Sequence, residues 1–415
     1  MQKQTLIGPF SQVVTMANLP LKGIIKDDQL QVIPEGGILI KGTVIKAIGN
    51  FSELQKEYKT AEVVTLKGKH ICLPGLIDAH THICFGGTRA NDYAMRNAGK
   101  TYLEIAKAGG GIWDTVTQTR KATQEELTKK TIKRANRHLK NGVTTIEVKS
   151  GYGLSVTEEL KMLYAIEDAN NASISDLIPT CLAAHMLPKD YEGSEEEYLE
   201  EIYTQLFPLL REENLTNRID AFIEESAFSK EQIKPYFEKA KALGFDITVH
   251  ADQFSTSGSQ TAIEHNAISA DHLEASTEKE VNLLAKSNVI AVALPGASLG
   301  LGCAFTPARK ILDAGGSIAI ASDHNPGSAP MGDLLTQASI LGTFEKLSNA
   351  EVLAGITYRA AAALKLKDRG QLSEGKLADF SVFHTDNYNE ILYNQGNLKP
   401  CMVWKNGTLV YDKHK

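Results

Sequence analysis

The alternation of apolar and polar residues changes twice along the chain and divides it into three parts. Residues 1 to about 70 contain short alternating or apolar runs broken by Gly, Pro and Asn, which is typical of strands and turns. The last part has the same texture, including a hairpin signal at Asn406-Gly407. We therefore predict that residues 1–72 and 370–415 together form one small β-sandwich domain.

Between these ends, in residues 73–369, apolar segments alternate with segments of helical character. Several helical segments begin with a capping-box pattern, at Thr123, Ser155, Ser229 and Thr277. Strands separated by helices pair in parallel, because each crossover returns the chain in the same direction. The pattern predicts an α/β fold, a (β/α)8 TIM-like barrel. Its strands are expected at 76–82, 143–149, 177–185, 219–225, 245–250, 268–272, 289–294 and 317–323.

Composition narrows the possible partners. The chain has 44 basic and 50 acidic residues, a net charge of -6, and no long basic run, so we predict no nucleic-acid partner. The first residues lack a signal-peptide pattern, and no apolar run reaches the roughly 18 residues of a membrane helix. We therefore predict no membrane association and a cytoplasmic location. An apolar barrel flank could support a homodimer, which the sequence leaves open.

The five cysteines point to the same reducing compartment. They are odd in number, far apart, and form no C-x-x-C pair. Cys84 follows His82 by two residues and could be a metal ligand on that strand, but a small buried apolar residue is the favoured interpretation.

Several predicted strands end in a residue that can bind a metal or move a proton. A single histidine of this kind is usually a packed core residue, but several at the same end of successive strands indicate a shared site. His80 and His82 also alternate, so in a strand both imidazoles would leave the same face. The strand-end residues are His82, His185, His250, His272 and Asp323.

Imidazole nitrogen and carboxylate oxygen suit Zn²⁺ or a first-row neighbour such as iron, and a catalytic site keeps one position open for water. We predict one zinc or iron ion, divalent or trivalent, per subunit. A second metal usually needs a bridging group, and the fourth strand has no lysine; Glu224 is the less favoured source of a second site. The predicted ligands are His80, His82, His250 and Asp323.

These residues lie in segments that resemble the amidohydrolase superfamily and, within it, the ring-opening hydrolases of histidine degradation. The resemblance covers nearly the whole chain. The paired histidines and the final aspartate are shared by many amidohydrolases, whereas the FGG-TR, KSGYGL and D-x-NPGS segments together are more specific. The segments are DAHTHICFGGTRANDY (78–93), TYLEIAKAGGGI (101–112), EVKSGYGL (147–154), AAHMLP (183–188), HADQF (250–254), SADHLE (269–274) and SDHNPGS (322–328).

The resemblance implies hydrolysis of the cyclic amide C–N bond of a small-molecule substrate, 4-imidazolone-5-propanoate, to N-formimidoyl-L-glutamate. A metal at the predicted site would lower the pKa of a water molecule towards neutrality and polarise the ring carbonyl. Asp323 could take the water proton and pass it to the departing ring nitrogen, while His272 could orient the nucleophile or stabilise the oxyanion. Which of these two is the principal base is left open. His185 completes the implied catalytic set.

The substrate carries a propionate, and the resemblance assigns that carboxylate to Arg89. Tyr102 is a weaker candidate contact. Gln253 stands where many deaminases have glutamate, so it is left with hydrogen bonding only. Asp252 could restore a carboxylate only if it turned inward. The remaining implied substrate contacts are Tyr152, His185, Gln253, Asn325, Gly327 and Ser328.

Two alternatives stay open. The chain could be another mononuclear amidohydrolase, such as a nucleobase-type deaminase, although the absent glutamate argues against it. It could also be a catalytically silent barrel that acts as a binding protein, although such relatives usually lose metal ligands and here every ligand is present. The run Gly109–Gly111 is either a flexible connection or part of a lid over the site.

Overall fold

The computed structural model describes residues 3–414, apart from the side chains at positions 102, 103 and 106. In this part of the chain, strands form two separate eight-stranded sheets. The strands in chain order are β1 (Gln4–Val14), β2 (Val32–Lys41), β3 (Val44–Asn50), β4 (Glu62–Thr65), β5 (Ile71–Pro74), β6 (Leu76–Asp78), β7 (Val143–Lys149), β8 (Asp176–Ala184), β9 (Arg218–Phe222), β10 (Asp246–Ala251), β11 (Ser269–His272), β12 (Ile290–Ala293), β13 (Ile318–Ile320), β14 (Phe380–Phe383), β15 (Met402–Lys405) and β16 (Thr408–Asp412).

The first helix packs against strands β1, β2 and β3, and most of the later helices surround the parallel sheet and connect its strands. In chain order they are α1 (Phe51–Glu57), α2 (Ala90–Asn97), α3 (Tyr102–Lys107), α4 (Ile112–Lys121), α5 (Gln124–Lys140), α6 (Val156–Ala172), α7 (Glu195–Glu201), α8 (Phe207–Glu212), α9 (Lys230–Ala242), α10 (Gly258–Glu264), α11 (Glu278–Lys286), α12 (Pro295–Leu301), α13 (Ala308–Asp313), α14 (Leu334–Glu345), α15 (Asn349–Gly355), α16 (Tyr358–Ala363) and α17 (Asn389–Tyr393). A 3₁₀ turn, Asp27–Gln29, and a π-helical turn, Ile202–Leu206, complete the set for the described residues.

The parallel sheet is the predicted barrel. Strands β6 to β13 pair in chain order, each parallel to the next. Two backbone hydrogen bonds close the seam between β13 and β6: the Asp323 N–H donates to the His80 carbonyl at 3.0 Å, and the His82 N–H donates to the His324 carbonyl at 3.0 Å. The mixed α/β class and the (β/α)8 barrel are therefore confirmed.

The first and last barrel strands are shorter than predicted. Strand β6 ends at Asp78 and β13 at Ile320, so His80, His82 and Asp323 lie just beyond regular strand. Asp323 has a left-handed backbone, with φ of 48°. The chain therefore bends at the seam, and the metal-site residues are placed by this bend instead of by strand alternation alone.

Helix starts follow the capping signals in the sequence. Thr123, Ser229 and Thr277 form reciprocal capping boxes with the residue three positions later. Ser155 accepts a hydrogen bond from the Glu158 N–H at 3.3 Å without the reciprocal bond. These caps satisfy amide groups at the helix starts and fix where each βα loop ends.

The second sheet combines strands from both chain ends, in the order β16-β15-β14-β5-β1-β2-β3, with β4 beside β1. Its apolar core includes Phe10, Phe380 and Trp404, and the last two rings stack with centroids 4.8 Å apart. Strand β5 crosses the boundary that we placed at residue 72. The division into 1–72 with 370–415 and 73–369 stays a proposal.

Polar contacts join this sheet to the amino-terminal end of the barrel. Lys405 donates to Asp176 at 2.8 Å and to Asp379 at 2.7 Å, and Arg369 donates to Thr145 Oγ1 at 2.9 Å. Lys405 is almost fully buried. None of the helices within residues 3–414 has both the length and the hydropathy of a membrane span.

Candidate metal centre and active-site cleft

Three buried histidines converge at the carboxyl end of the barrel. His80 and His82 follow β6, and His250 lies on β10. The Nε2 atom of His82 lies 3.3 Å from Nε2 of His80 and 3.3 Å from Nε2 of His250. One nitrogen from each ring therefore points at a common position, as a metal site requires.

Asp323 completes this group from the other side of the seam. Its Oδ1 atom lies 3.6 Å from His80 Nε2 and 3.5 Å from His82 Nε2. Asn325 donates to the other oxygen, Oδ2, at 2.8 Å, whereas Oδ1 has no hydrogen-bond partner among the described residues. A buried carboxylate oxygen without a donor, beside three imidazole nitrogens, fits a single first-row metal ion.

Two carboxylates orient the histidine rings. Asp271 Oδ2 lies 2.6 Å from Nδ1 of His80, and Asp220 Oδ2 lies 3.0 Å from Nδ1 of His250. A carboxylate that accepts the Nδ1–H keeps the Nε2 lone pair available for a metal. Asp220 also accepts the backbone N–H of His250 at 3.2 Å, so it holds both the ring and the main chain.

The sequence did not reveal the carboxylates that orient the histidine rings, nor the buried lysine that lies between them. Lys149, at the end of β7, is fully buried and donates to Glu147 at 2.7 Å, with Asp220 at 2.8 Å. Burial opposes its charge, but the surrounding carboxylates, Asp220 first, raise the pKa of Lys149 above its ordinary value. The available signal was two opposite charges, Glu147 and Lys149, on a strand that is otherwise apolar or small.

Glu224 and Cys84, which the sequence also offered as metal ligands, are not part of the metal site. Glu224 Oε1 accepts the backbone N–H groups of Phe254 at 2.8 Å and Ser255 at 3.1 Å. Both oxygens are thus committed to the loop after β10, because Ser255 Oγ donates to Oε2 at 2.6 Å. Cys84 Sγ lies in the apolar core, 3.8 Å from the Met162 carbonyl oxygen. Neither residue joins the histidine group.

His272 follows on the next strand with a ring next to the same position. Its ring centroid lies 5.3 Å from that of His250 and 5.7 Å from that of His80. Burial lowers the pKa of His272, but the nearby carboxylates, Glu274 at 3.4 Å from Nδ1 first and then Asp323 and Asp271, together raise this pKa above the ordinary value. The ring therefore has more imidazolium character than the three clustered histidines.

A cleft of about 670 Å³ opens above this group. The residues that we predicted as substrate contacts all line this cleft, except Tyr102, whose side chain is not among those that the structure describes. The predicted contacts that line it are Arg89, Tyr152, His185, Gln253, Asn325, Gly327 and Ser328.

Arg89 is a fixed cation at one wall of the cleft. Its Nε donates to Asp92, which also accepts the Gly111 N–H at 2.9 Å. At Gly327, a β-carbon would come within 3.1 Å of the Arg89 Nη1 atom, so glycine permits the close approach of this loop. The contact between Asp92 and Gly111 ties the glycine run to Arg89, while a lid function for that run stays a prediction.

Arg96 is a cleft residue that sequence reasoning missed. It lies on the short helix α2 and donates to the carbonyl oxygen of Gly300 at 2.7 Å. A basic residue on a short polar helix is ordinarily exposed to solvent, so nothing in the local pattern marks it. Only the tertiary fold brings this helix over the cleft.

His185 and Tyr152 form the opposite wall. The Nδ1 atom of His185 donates to the Gly151 carbonyl oxygen at 2.8 Å, and its ring stacks on His82 at a centroid distance of 5.6 Å. Burial lowers the pKa of His185 to about 4, so the ring is neutral at pH 7 and presents Nε2 as an acceptor. Burial also raises the pKa of Tyr152 above its ordinary value, which keeps its hydroxyl a donor.

Asn325 organises the loop after β13. Its Oδ1 accepts the N–H groups of Gly327 and Ser328, each at 2.8 Å, while its amide nitrogen donates to Asp323 Oδ2. The side chain therefore shapes the turn and orients Asp323, although we had predicted it as a substrate contact. It still borders the cleft.

Asp252 turns away from the cleft. Its backbone is left-handed, with φ of 51°, and its Oδ1 accepts the N–H groups of Ser257 and Ser259 at 3.1 Å each. Ser276 Oγ donates to its second oxygen at 2.7 Å. The structure therefore supplies no carboxylate in place of the one that Gln253 lacks.

We expect Asp252→Asn to lower the free energy of unfolding by about 2 kcal/mol, because an amide has one acceptor oxygen in place of the two that accept three hydrogen bonds in the buried carboxylate. Zinc content per chain should stay unchanged, since Asp252 does not face the histidines. Thermal unfolding and metal analysis of the same sample measure both quantities. Ser276→Ala, which removes one of the three bonds, should cost less. A variant that unfolds like the parent but loses zinc would contradict this assignment.

Comparison with known proteins agrees with this geometry. The amidohydrolase family model matches residues 71–410. Solved structures with the same fold include a triazine hydrolase variant, with a TM-score of 0.77 and 17% identity over 100% of this chain and 96% of the other. They also include the atrazine chlorohydrolase from Arthrobacter aurescens TC1 complexed with zinc, with a TM-score of 0.72 and 18% identity over 99% and 96%. The chain belongs to the amidohydrolase family.

Relatives with higher identity define its branch. An imidazolonepropionase of Fusobacterium nucleatum is 40% identical over 100% of both chains. The imidazolonepropionases of Alkaliphilus oremlandii and Bacillus cytotoxicus are 38% and 37% identical, over 98% of this chain and 98% and 97% of theirs. Within the amidohydrolases, the chain is therefore a member of the imidazolonepropionase family.

Proposed function

We propose that the chain hydrolyses the cyclic amide C–N bond of 4-imidazolone-5-propanoate to give N-formimidoyl-L-glutamate, a step of histidine degradation. One observation carries this proposal: a single cleft contains both the buried His–Asp group and the fixed guanidinium of Arg89. The first can act on the ring, and the second can hold the propionate. The full-length similarity to imidazolonepropionases supports the same reaction.

The proposed cofactor is one zinc or iron ion held by His80, His82, His250 and Asp323. Such an ion, when bound, supplies a Lewis acid that acidifies water and polarises the ring carbonyl. Three imidazole nitrogens and one carboxylate oxygen serve zinc and iron equally well. A second ion is not part of the proposal, because Glu224 is committed to the loop at Phe254 and Ser255.

Asp323 is the proposed proton carrier. Burial raises the pKa of its carboxyl to about 6, which makes the group a stronger base than an ordinary aspartate. As water adds to the ring carbonyl carbon, its proton moves to the carboxylate. The same proton then goes to the ring nitrogen as the C–N bond breaks, which leaves a new carboxyl group and the free formimidoyl nitrogen. The second proton of the water molecule stays on that carboxyl group and passes to solvent when the group ionises.

His272 and His185 assist from opposite sides. Since Glu274 favours the charged form of His272, its imidazolium can stabilise the developing tetrahedral oxyanion. Neutral His185 can accept a ring N–H at Nε2, next to the hydroxyl of Tyr152. Gln253 adds an amide that hydrogen-bonds the substrate but moves no proton.

The propionate is the part of the substrate that Arg89 can recognise. The Arg89–Asp92 pair fixes the guanidinium while leaving its terminal nitrogens for a carboxylate. The N–H groups of Gly327 and Ser328 are used within this turn, and Ser328 Oγ accepts a hydrogen bond from Asn325 at 2.9 Å, so the hydroxyl proton is what the Ser328 side chain can offer to the ligand. The loop after β13 thus contributes shape as well as polarity.

The two alternatives receive less support. A nucleobase deaminase of the usual type needs an acidic side chain at the fifth strand, and Asp252 faces its own loop instead. A silent binding protein would not need four converging ligands with oriented rings. We also propose a cytoplasmic location, which the five unpaired cysteines support, while a homodimer stays a prediction.

The decisive test is turnover of 4-imidazolone-5-propanoate by the purified full chain, followed by the loss of ring ultraviolet absorbance. Metal content is measured on the same sample. We expect fast loss, formation of N-formimidoyl-L-glutamate, and abolition by a chelator with recovery on adding metal back. Absence of turnover in a sample with about one metal ion per chain would show that the proposed substrate is wrong. Turnover that persists after complete removal of the metal would show that the reaction does not need the proposed metal centre.

A further inference from the structure

A buried cation lies beneath the metal centre and contacts none of its ligands directly. Lys149 is fully buried and does not line the cleft, so it cannot touch the substrate. It belongs to the segment EVKSGYGL, whose lysine has no role in the proposed reaction. We propose that Lys149 is a positioning residue that holds three carboxylates in place and, through them, sets the arrangement of the metal-binding histidines.

Each of the three carboxylates connects Lys149 to a different part of the ligand set. Asp220, 2.8 Å from the ammonium, holds the ring and the backbone N–H of His250. Asp271, 3.9 Å away, holds Nδ1 of His80. Glu147, the third, accepts the Thr81 N–H at 3.2 Å, and Thr81 separates the two histidines that follow β6.

The charge balance explains why a cation is needed here. Three carboxylates gathered in a dry core repel one another, and the repulsion is strong where the effective dielectric constant is low. One ammonium between them compensates part of this charge and only donates. Asp220 and Asp271 each turn one oxygen, Oδ2, towards both Lys149 and a histidine ring, whereas Glu147 uses Oε1 for Lys149 and Oε2 for the Thr81 N–H. Without the ammonium, Asp220 and Asp271 would move apart and the two histidine rings would lose their fixed orientation.

The inference rests on the proposed metal centre, so the experiment starts with the parent chain. Its affinity for Zn²⁺ is measured by competition with a chelator, and that of Lys149→Met is measured in the same way. Groups that orient metal ligands typically change affinity by about 10–100-fold, and we expect a loss in that range. If the parent binds no zinc, the metal centre itself is wrong; if Lys149→Met binds zinc as tightly as the parent, only the role of Lys149 is wrong.

Lys405→Met is the matched control. Lys405 is also a buried lysine that donates to two aspartates, but it lies at the other end of the barrel. This variant should unfold at a lower temperature and keep the parent's zinc affinity. Equal losses of zinc affinity in both variants would show a general effect of removing a buried ammonium and would overturn the proposal.

A double variant separates positioning from simple charge compensation, and it covers the case in which Lys149→Met does not fold. Glu147→Gln with Lys149→Met removes one charge of each sign and keeps an acceptor for the Thr81 N–H. Glu147→Gln alone is its control. We expect the double variant to fold, as judged by circular dichroism, and still to bind zinc at least tenfold more weakly than Glu147→Gln. Zinc affinity equal to that control, or a failure of the charge-balanced variant to fold, would overturn a specific positioning role.

Discussion

Asp323→Asn is expected to lower kcat by about 10³-fold, within the range that a positioned general base contributes. The amide keeps an oxygen that can face the histidines, but it cannot accept the proton of water. Since Asn325 donates to Oδ2, the turn after β13 also selects how the amide is oriented. The loss should therefore appear in turnover at saturating substrate, with most of the metal retained.

The measurement is kcat together with metal content per chain, and His272→Asn is the companion variant. We expect His272→Asn to lose about 10²-fold, because it removes stabilisation of the oxyanion while leaving the base in place. An active Asp323→Asn enzyme with its metal retained would show that Asp323 is not the principal base. A larger loss in His272→Asn than in Asp323→Asn would transfer that role to His272.

Arg89→Met should lower kcat/KM for 4-imidazolone-5-propanoate by about 10²-fold, equivalent to about 3 kcal/mol of lost charge-assisted hydrogen bonding. Methionine keeps much of the side-chain volume and removes the guanidinium. In this variant Asp92 would lose the hydrogen bond from Arg89 and keep the one from the Gly111 N–H. Melting temperature should be measured alongside the kinetics to exclude general unfolding.

A truncated substrate tests what Arg89 recognises. An imidazolone without the propionate offers no carboxylate, so the parent and Arg89→Met should hydrolyse it at rates within about twofold of each other, or about 0.4 kcal/mol, as expected for groups that do not interact. A loss that is equal for both substrates would mean that Arg89 only supports the loop. In that case another cation that lines the cleft, Arg96 or Lys100, would have to bind the carboxylate.

The barrel could be predicted because its signals are local and repeated. Eight apolar segments separated by helices allow few topologies, and each predicted segment overlaps one observed strand of three to nine residues. The segments 76–82 and 317–323 were right in place but too long, because the carboxyl end of the strand lies earlier in each, at Asp78 and at Ile320. Seam hydrogen bonds between distant segments decide that end, and no local pattern reports them.

Candidate ligands and cleft residues were predictable for a related reason. In a parallel barrel all strands end at one rim, so chemical groups at strand ends must be neighbours. This rule alone predicts that His80, His82, His250 and Asp323 lie together, and the motif resemblance adds Arg89 and Tyr152. The chemical role of each residue could not be predicted, because it depends on which of its side-chain atoms faces which neighbouring group.

The amino-acid sequence by itself determined the strand and helix order, the end of the barrel that carries chemistry, and the residue types at that rim. Only the tertiary structure decided that Asp252 and Glu224 serve their loops, that Asn325 orients Asp323, and that Lys149 lies among three carboxylates. The physical reason is the distance along the chain over which each effect acts. Apolar periodicity is set by residues that are close in sequence. Ion pairs and hydrogen bonds in the core join groups that are far apart in the chain, and they depend on the direction of each side chain.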